Sequence, residues 1–152
     1  MRSHLPPTHF WFATLASERS LLARAEGNPD TAMQLADTAV KTDEELVKTY
    51  DQAAPFLPFF LYRRAALELE RGDLEKSDSD AQRSINLLRA SLGNDALSLH
   101  LGECYLVEAQ TLERRQKRDE ARAAFRLAAT NFEKALGPDH AKTRAARSLA
   151  GM

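Results

Sequence analysis

Residues 116–140 read QKRDEARAAFRLAATNFEKALGPDH. Their apolar members fall at Ala121, Ala124, Phe125, Ala128, Phe132, Ala135 and Leu136, the i, i+3, i+4, i+7 spacing of one buried helical face. Arg122, Arg126 and Glu133 lie opposite, as a solvated face. Gly137-Pro138-Asp139 stops this helix and starts another. The same period runs through Ala32, Leu35, Ala36, Ala39 and Val40, and through Leu74, Ala81, Ile85, Leu88 and Leu92. Between these stretches it recurs in Phe12, Leu15, Ala16, Leu22 and Ala23, in Phe60, Leu61, Ala65 and Leu69, and in Leu101, Cys104, Tyr105, Ala109 and Leu112. No segment sustains a period of two with β-branched residues, so the chain is expected to be all-α. Asn28-Pro29-Asp30 offers an N-cap followed by proline at the first helical position. Gly72 ends one helix and Asp73 caps the next, while Pro55 and Pro58 interrupt the helix that reaches Tyr50. With Asn94-Asp95 as a further break, the predicted helices are 9–26, 29–51, 56–71, 73–92, 95–115, 118–136 and a short 139–150.

Paired, these helices are self-similar. Gly27 precedes Ala32, Ala36 and Ala39 by 5, 9 and 12 residues; Gly72 precedes Ser77, Ala81 and Ser84 by the same steps; Gln116 precedes Ala121, Phe125 and Ala128 likewise. The three anchors stand 45 and 44 residues apart, and Leu92-Gly93-Asn94-Asp95 repeats as Leu136-Gly137-Pro138-Asp139 after 44. Each unit is a helix, a tight turn, a second helix and a capped link. Small residues recur where two helices must approach. A helix-pair period of this length predicts stacked hairpins that bury one continuous core, an α-solenoid.

The Gly27–Ala32–Ala36–Ala39 pattern resembles the second half of a tetratricopeptide repeat. The link Ala135-Leu136-Gly137-Pro138-Asp139-His140 resembles the long variant found in kinesin light chains and in many bacterial regulatory proteins. The third unit departs from the pattern, with Gln116 in place of the turn glycine. The resemblance implies an N-terminal tail over 1–8 and a single domain over 9–152. That domain would be a right-handed superhelix of three hairpins, about 9–52, 55–93 and 95–137, closed by a capping helix at 139–150. It also implies a protein–protein interaction module, a scaffold or regulator without cofactor or catalysis, that takes a peptide or helix in a concave groove lined by the first helix of each unit. By position the groove residues are Ser17, Leu21 and Arg24, then Phe59, Tyr62, Arg63 and Ala66, then Glu103, Leu106, Gln110 and Glu113. Chaperone-binding members clamp a terminal carboxylate with Lys and Asn at such places. This sequence has neither there, so the expected ligand carries aromatic or aliphatic anchors and an acidic group for Arg24 and Arg63.

Composition narrows the alternatives. Lys and Arg number 21 against 22 Asp and Glu in 152 residues, a formal charge of −1 that argues against a strongly basic nucleic-acid binder. Charge is uneven, at −3, −3 and +5 over residues 1–60, 61–110 and 111–152. A single cysteine excludes an internal disulfide, and Cys104 sits on an apolar stripe as a buried small hydrophobe. His4, His9, His100 and His140 show no metal-ligand spacing; His140 is placed to cap the last helix. No glycine-rich phosphate loop is present, and pairs such as Glu68/Asp73 and Glu44/Glu45 read as surface carboxylates. The run Arg114-Arg115-Gln116-Lys117-Arg118 reads first as a solvated turn at a helix C-terminus, since stacking aromatics are missing nearby; a nucleic-acid-binding helical repeat through this run stays open as the less favoured alternative function. The run Pro55–Tyr62 and the triplet Phe10-Trp11-Phe12 hold more apolar surface than one helix face can bury, which leaves self-association into a homodimer as the alternative function. The last helix, rich in Ala and Arg, is either an end cap or a self-association seam. No membrane span or signal peptide is read, and a reduced cytoplasmic setting is the expectation.

Overall fold

The computed structural model describes residues 10–50 and 56–152 of the chain. The tail 1–8, His4, His9 and Pro55 lie outside the described residues. Among the described residues seven helices follow one another: α1 (Phe10–Ala25), α2 (Pro29–Tyr50), α3 (Leu57–Arg71), α4 (Leu74–Leu92), α5 (Leu99–Arg114), α6 (Arg118–Leu136) and α7 (Ala141–Ala150). No strand occurs among the described residues. Each helix packs on the next, most closely within the pairs α1–α2, α3–α4 and α5–α6, and α3 also packs on α5.

The repeated turn is the same object three times. Gly27, Gly72 and Gln116 all adopt the left-handed conformation, with φ of 77°, 83° and 63°. One residue later a backbone N–H reaches back to the helix just ended: Asn28 to Ala23 at 2.9 Å, Asp73 to Glu68 at 2.9 Å and Lys117 to Leu112 at 3.0 Å. These bonds satisfy carbonyls that the helix end would leave orphaned. Gln116 holds a conformation that costs an L-residue about 1 kcal/mol. The small residues of the period are buried in every unit: Ala32, Ala36 and Ala39; Ser77, Ala81 and Ser84; Ala121 and Ala128.

Two local expectations change. α5 begins at Leu99, because Ser98 caps it by accepting a hydrogen bond from the Leu101 N–H at 3.1 Å. Asp73 stands at the N-cap of α4 without capping through its side chain, which instead lies 3.7 Å from Lys76. Pro58, as expected, lies within the helix that follows α2, in the first turn of α3, where its missing N–H has no partner to lose.

Two clusters make most of the core. Ala13, Ala39, Val40, Leu57, Phe60 and Leu61 join α1, α2 and α3. Ile85, Leu88, Leu101, Cys104, Tyr105, Ala128 and Phe132, with Ala146 of α7, join the last four helices. Helices α5 and α6 cross so closely at Gly102 that a Cβ there would lie 2.7 Å from the Phe132 ring. α7 buries Thr143, Ala146 and Ala150 along one stripe, and the Thr143 hydroxyl donates to the Gly137 carbonyl at 2.8 Å. His140 caps it as expected, its Nδ1 accepting from the Lys142 N–H at 3.2 Å.

Candidate functional site

The first helices of the pairs, α1, α3 and α5, carry the predicted groove residues. Tertiary contacts bring several of them together. On α3, Phe59 and Tyr62 are half-buried, and both meet His100 at the start of α5. The Phe59 and His100 rings pack edge to face with centroids 4.3 Å apart, and the Tyr62 hydroxyl lies 3.4 Å from His100 Nδ1. Burial, with Arg63 adding to it, lowers the imidazole pKa against a smaller opposite pull from Glu103. The ring therefore favours its neutral form. Burial likewise raises the Tyr62 phenol, keeping it a hydrogen-bonding group rather than an anion. Leu106, further along α5, is half-buried and packs, like Phe59 and Tyr62, against the core cluster that contains Leu101, Cys104 and Tyr105.

Charged groups on this face are already engaged. Arg63 donates from Nη1 to Ser17 Oγ at 2.8 Å and to Glu18 Oε1 at 2.8 Å. Ser17 is therefore buried beneath the guanidinium, not open to the groove as its register suggested. Arg24 grips Glu70 of α3 through Nε at 3.1 Å and through Nη2. Lys142 of α7 pairs with Glu103 of α5. Each pair ties one helix to its neighbour two elements on. An acidic ligand group near Arg24 or Arg63 would have to displace a carboxylate of this chain. Gln110 and Glu113 are exposed on α5, apart from the aromatic group. Of the predicted set, then, Phe59 and Tyr62 meet through His100 and Arg63 joins Ser17, whereas Gln110 and Glu113 stand apart. His100 was not among the predicted residues. The signal that points to it is its position 44 residues after Phe56, which sets it beside the same aromatic run.

The carboxylates read as surface groups are not all so. Glu68 is 5% exposed, and burial with the repulsion of Asp80 pushes its carboxyl up to about 7 against the pull of Arg64. Asp43, also buried, is raised to about 6 by burial and by Glu44. Cys104 is buried in the core; burial raises its thiol to about 12 and makes it inert.

The basic run is largely consumed by the fold. Arg114 donates to the Leu69 carbonyl at 2.5 Å, Arg115 meets Asp78 at 2.5 Å and Lys117 meets Glu120 at 3.1 Å. No group of His, Cys, Asp and Glu able to hold a metal ion occurs among the described residues. No helix among them is long and apolar enough to cross a membrane. No protein-family model matches the chain, and the search of curated proteins finds no significant relative.

Proposed function

We propose that the chain is a tetratricopeptide-like module, a right-handed superhelix of three hairpins with a capping helix, that binds a peptide or helix of another protein and performs no catalysis. The observation that carries this reading is the half-buried group of Phe59, Tyr62 and His100 across α3 and α5. Such rings are rigid, offer large contact area on one side and keep a polar tip, the qualities of binding anchors. Ion pairs tie α1 to α3 and α5 to α7 on either side, which limits the motion of the helices that carry the rings and lowers the entropy cost of occupying them. The direct experiment is selection from a random peptide library on the purified protein. The best peptide is expected to lose at least about tenfold in affinity with Tyr62→Ala or Phe59→Ala, while Arg122→Ala on α6 leaves it unchanged. Equal affinity in all three variants would reject the groove.

A second reading is self-association, and one observation favours it. Phe12, Leu15 and Leu22 are exposed along α1, and Phe12 and Leu15 border a crevice with Leu35. The Phe56–Tyr62 run is less available than its composition suggested, because Leu57, Phe60 and Leu61 are buried within the chain. Light scattering at high concentration, with Leu15→Lys as the broken variant, separates a dimer from a monomer.

A further inference from the structure

The second half of α3 and the second half of α5 each have a seat on the hairpin before them. In the first junction Leu67 of α3 packs with Ala23, Ala32 and Ala36, and Glu70 pairs with Arg24. In the second junction α5 takes the same places. Thr111 meets Ser77, Val107 clusters with Ala81, Arg114 donates to the Leu69 carbonyl and Arg115 pairs with Asp78. Carried forward one period, the seat residues Leu69, Ser77, Asp78 and Ala81 become Glu113, Ala121, Arg122 and Phe125. Those four line a crevice of about 610 Å³, together with Arg118 and with Leu149 of α7.

α7 does not fill this third seat. Its closing turn comes at Gly151, 35 residues after Gln116 where the period is 44. The turn is the one that ends the earlier first helices: Gly151 has φ of 73°, and the Met152 N–H reaches the Arg147 carbonyl at 3.0 Å. α7 therefore stops at Ala150, in register with Leu106, just before the residues that do the seating in α5. What borders the crevice is unsatisfied. Leu149 is 46% exposed. Arg118, Arg122 and Glu113 are exposed, and their side chains have no ion-pair or hydrogen-bond partner among the described residues. The sign at the key position is reversed, with Arg122 where the second seat has Asp78.

We propose that this seat docks an amphipathic helix of another protein, about two and a half turns long, that sets a carboxylate against Arg122 and an aliphatic face against Leu149. The two seated helices of this chain are the template, and the reversed sign dictates the partner's charge. Glu113 among the cations and the apolar Leu149 argue against a polyanion. A second copy of this chain cannot supply the helix in register, because its α1 would need the space that α7 holds. The site lies apart from the aromatic group of α3 and α5 and does not depend on it.

The probe is the chain's own seating helix. A fluorescein-labelled peptide of residues 105–115, held helical by a side-chain staple, is made with the natural sequence and with Arg115→Glu. Both are titrated against the full chain by fluorescence anisotropy. Residue 115 takes the place that faces Arg122, so the Arg115→Glu peptide is expected to bind about fivefold tighter than the natural one, or better. Arg122→Glu, a change at an exposed residue, should invert that order with the circular dichroism spectrum unchanged. Tyr62→Ala should leave both affinities as they were. The ranking of the two peptides on the parent protein depends on no variant folding. Four outcomes would overturn the proposal: neither peptide saturates, both bind the parent protein equally, Arg122→Glu keeps the original order, or Tyr62→Ala removes binding. Sedimentation of the chain alone adds a fifth: a dimer that Arg122→Glu dissolves would put a second copy in the seat.

Discussion

The junction between the first two hairpins and the junction between the last two share one register and differ in chemistry. Across the first, an apolar cluster of Ala13, Val40, Phe60 and Leu61 is flanked by ion pairs: Arg64 with Asp37, Arg63 with Glu18, Arg71 with Asp30, Arg24 with Glu70 and Arg83 with Glu44. Across the second they are mostly neutral. Ser77 and Thr111 share a hydrogen bond at 2.9 Å, Ser84 and Cys104 lie 3.1 Å apart, and Ala65, Ala81 and Val107 pack beside them. Arg115 with Asp78 is an ion pair on that side. Identical turns and the same small-residue stripe fix the backbone in both places. What surrounds the apolar contacts between hairpins is then free to vary, as ion pairs in one junction and buried hydroxyls in the other.

The difference can be broken most severely at Arg64. Its own pKa is held well above the ordinary guanidinium value, because the hydrogen bonds and charge of Asp80 outweigh burial. Arg64→Ala leaves Asp80 and Glu68 buried without a cation and is expected to cost about 3 kcal/mol in urea unfolding. Glu108, which holds the matching position in the third hairpin, faces Gln82 instead. Glu108→Ala is expected to cost less than about 0.5 kcal/mol. A similar loss in both variants would mean that the two junctions are equivalent.

Acidity separates them next. The Glu68 carboxyl is raised from 4.5 to about 7 chiefly by burial. Between those values the folded chain keeps a proton that the unfolded chain releases, so this contribution to stability falls as pH rises through 7. Glu108, raised to about 7 by burial and Asp78, and Asp43, raised to about 6, act in the same direction. Glu108 is only half-buried and its hydrogen bond to Gln82 opposes the shift. Glu68→Gln should therefore flatten the decline between pH 5 and 8 by on the order of 1–2 kcal/mol, and Glu108→Gln by less. Thermal melts across that range give both numbers. An equal or larger effect from Glu108→Gln would reverse the ranking.

The mildest probe is Thr111→Val, which removes the hydroxyl that meets Ser77 while keeping the shape. Thr111 is fully buried and donates to the Val107 carbonyl at 2.8 Å. The loss is expected near 1 kcal/mol, and adding Ser77→Ala should not double it, because the two hydroxyls are partners. Strict additivity by denaturant titration would show that they stabilise the junction separately.

The helices and their pairing were legible because they rest on periodicity and on three left-handed turns that local sequence announces. Gln116 shows the strength of that pattern: the turn survives without its glycine. The placement of Phe59 and Tyr62 on α3 was legible from their register, whereas their meeting with His100 was not, since it comes from the packing of α3 on α5. The charged junction was hidden for a related reason. Glu68 and Asp80 fall among other polar residues in sequence, and only the arrival of a neighbouring hairpin removes them from water. Burial created between units is invisible to a reading made one helix at a time.

The lone thiol of the chain has a practical consequence. Cys104 sits with its sulfur against Ser84, sealed between hairpins and chemically quiet. A maleimide or disulfide reagent can reach it only when those two units part. Its labelling rate is thus a native clock for how often the stack breathes open at that point, without any engineered dye or added cysteine.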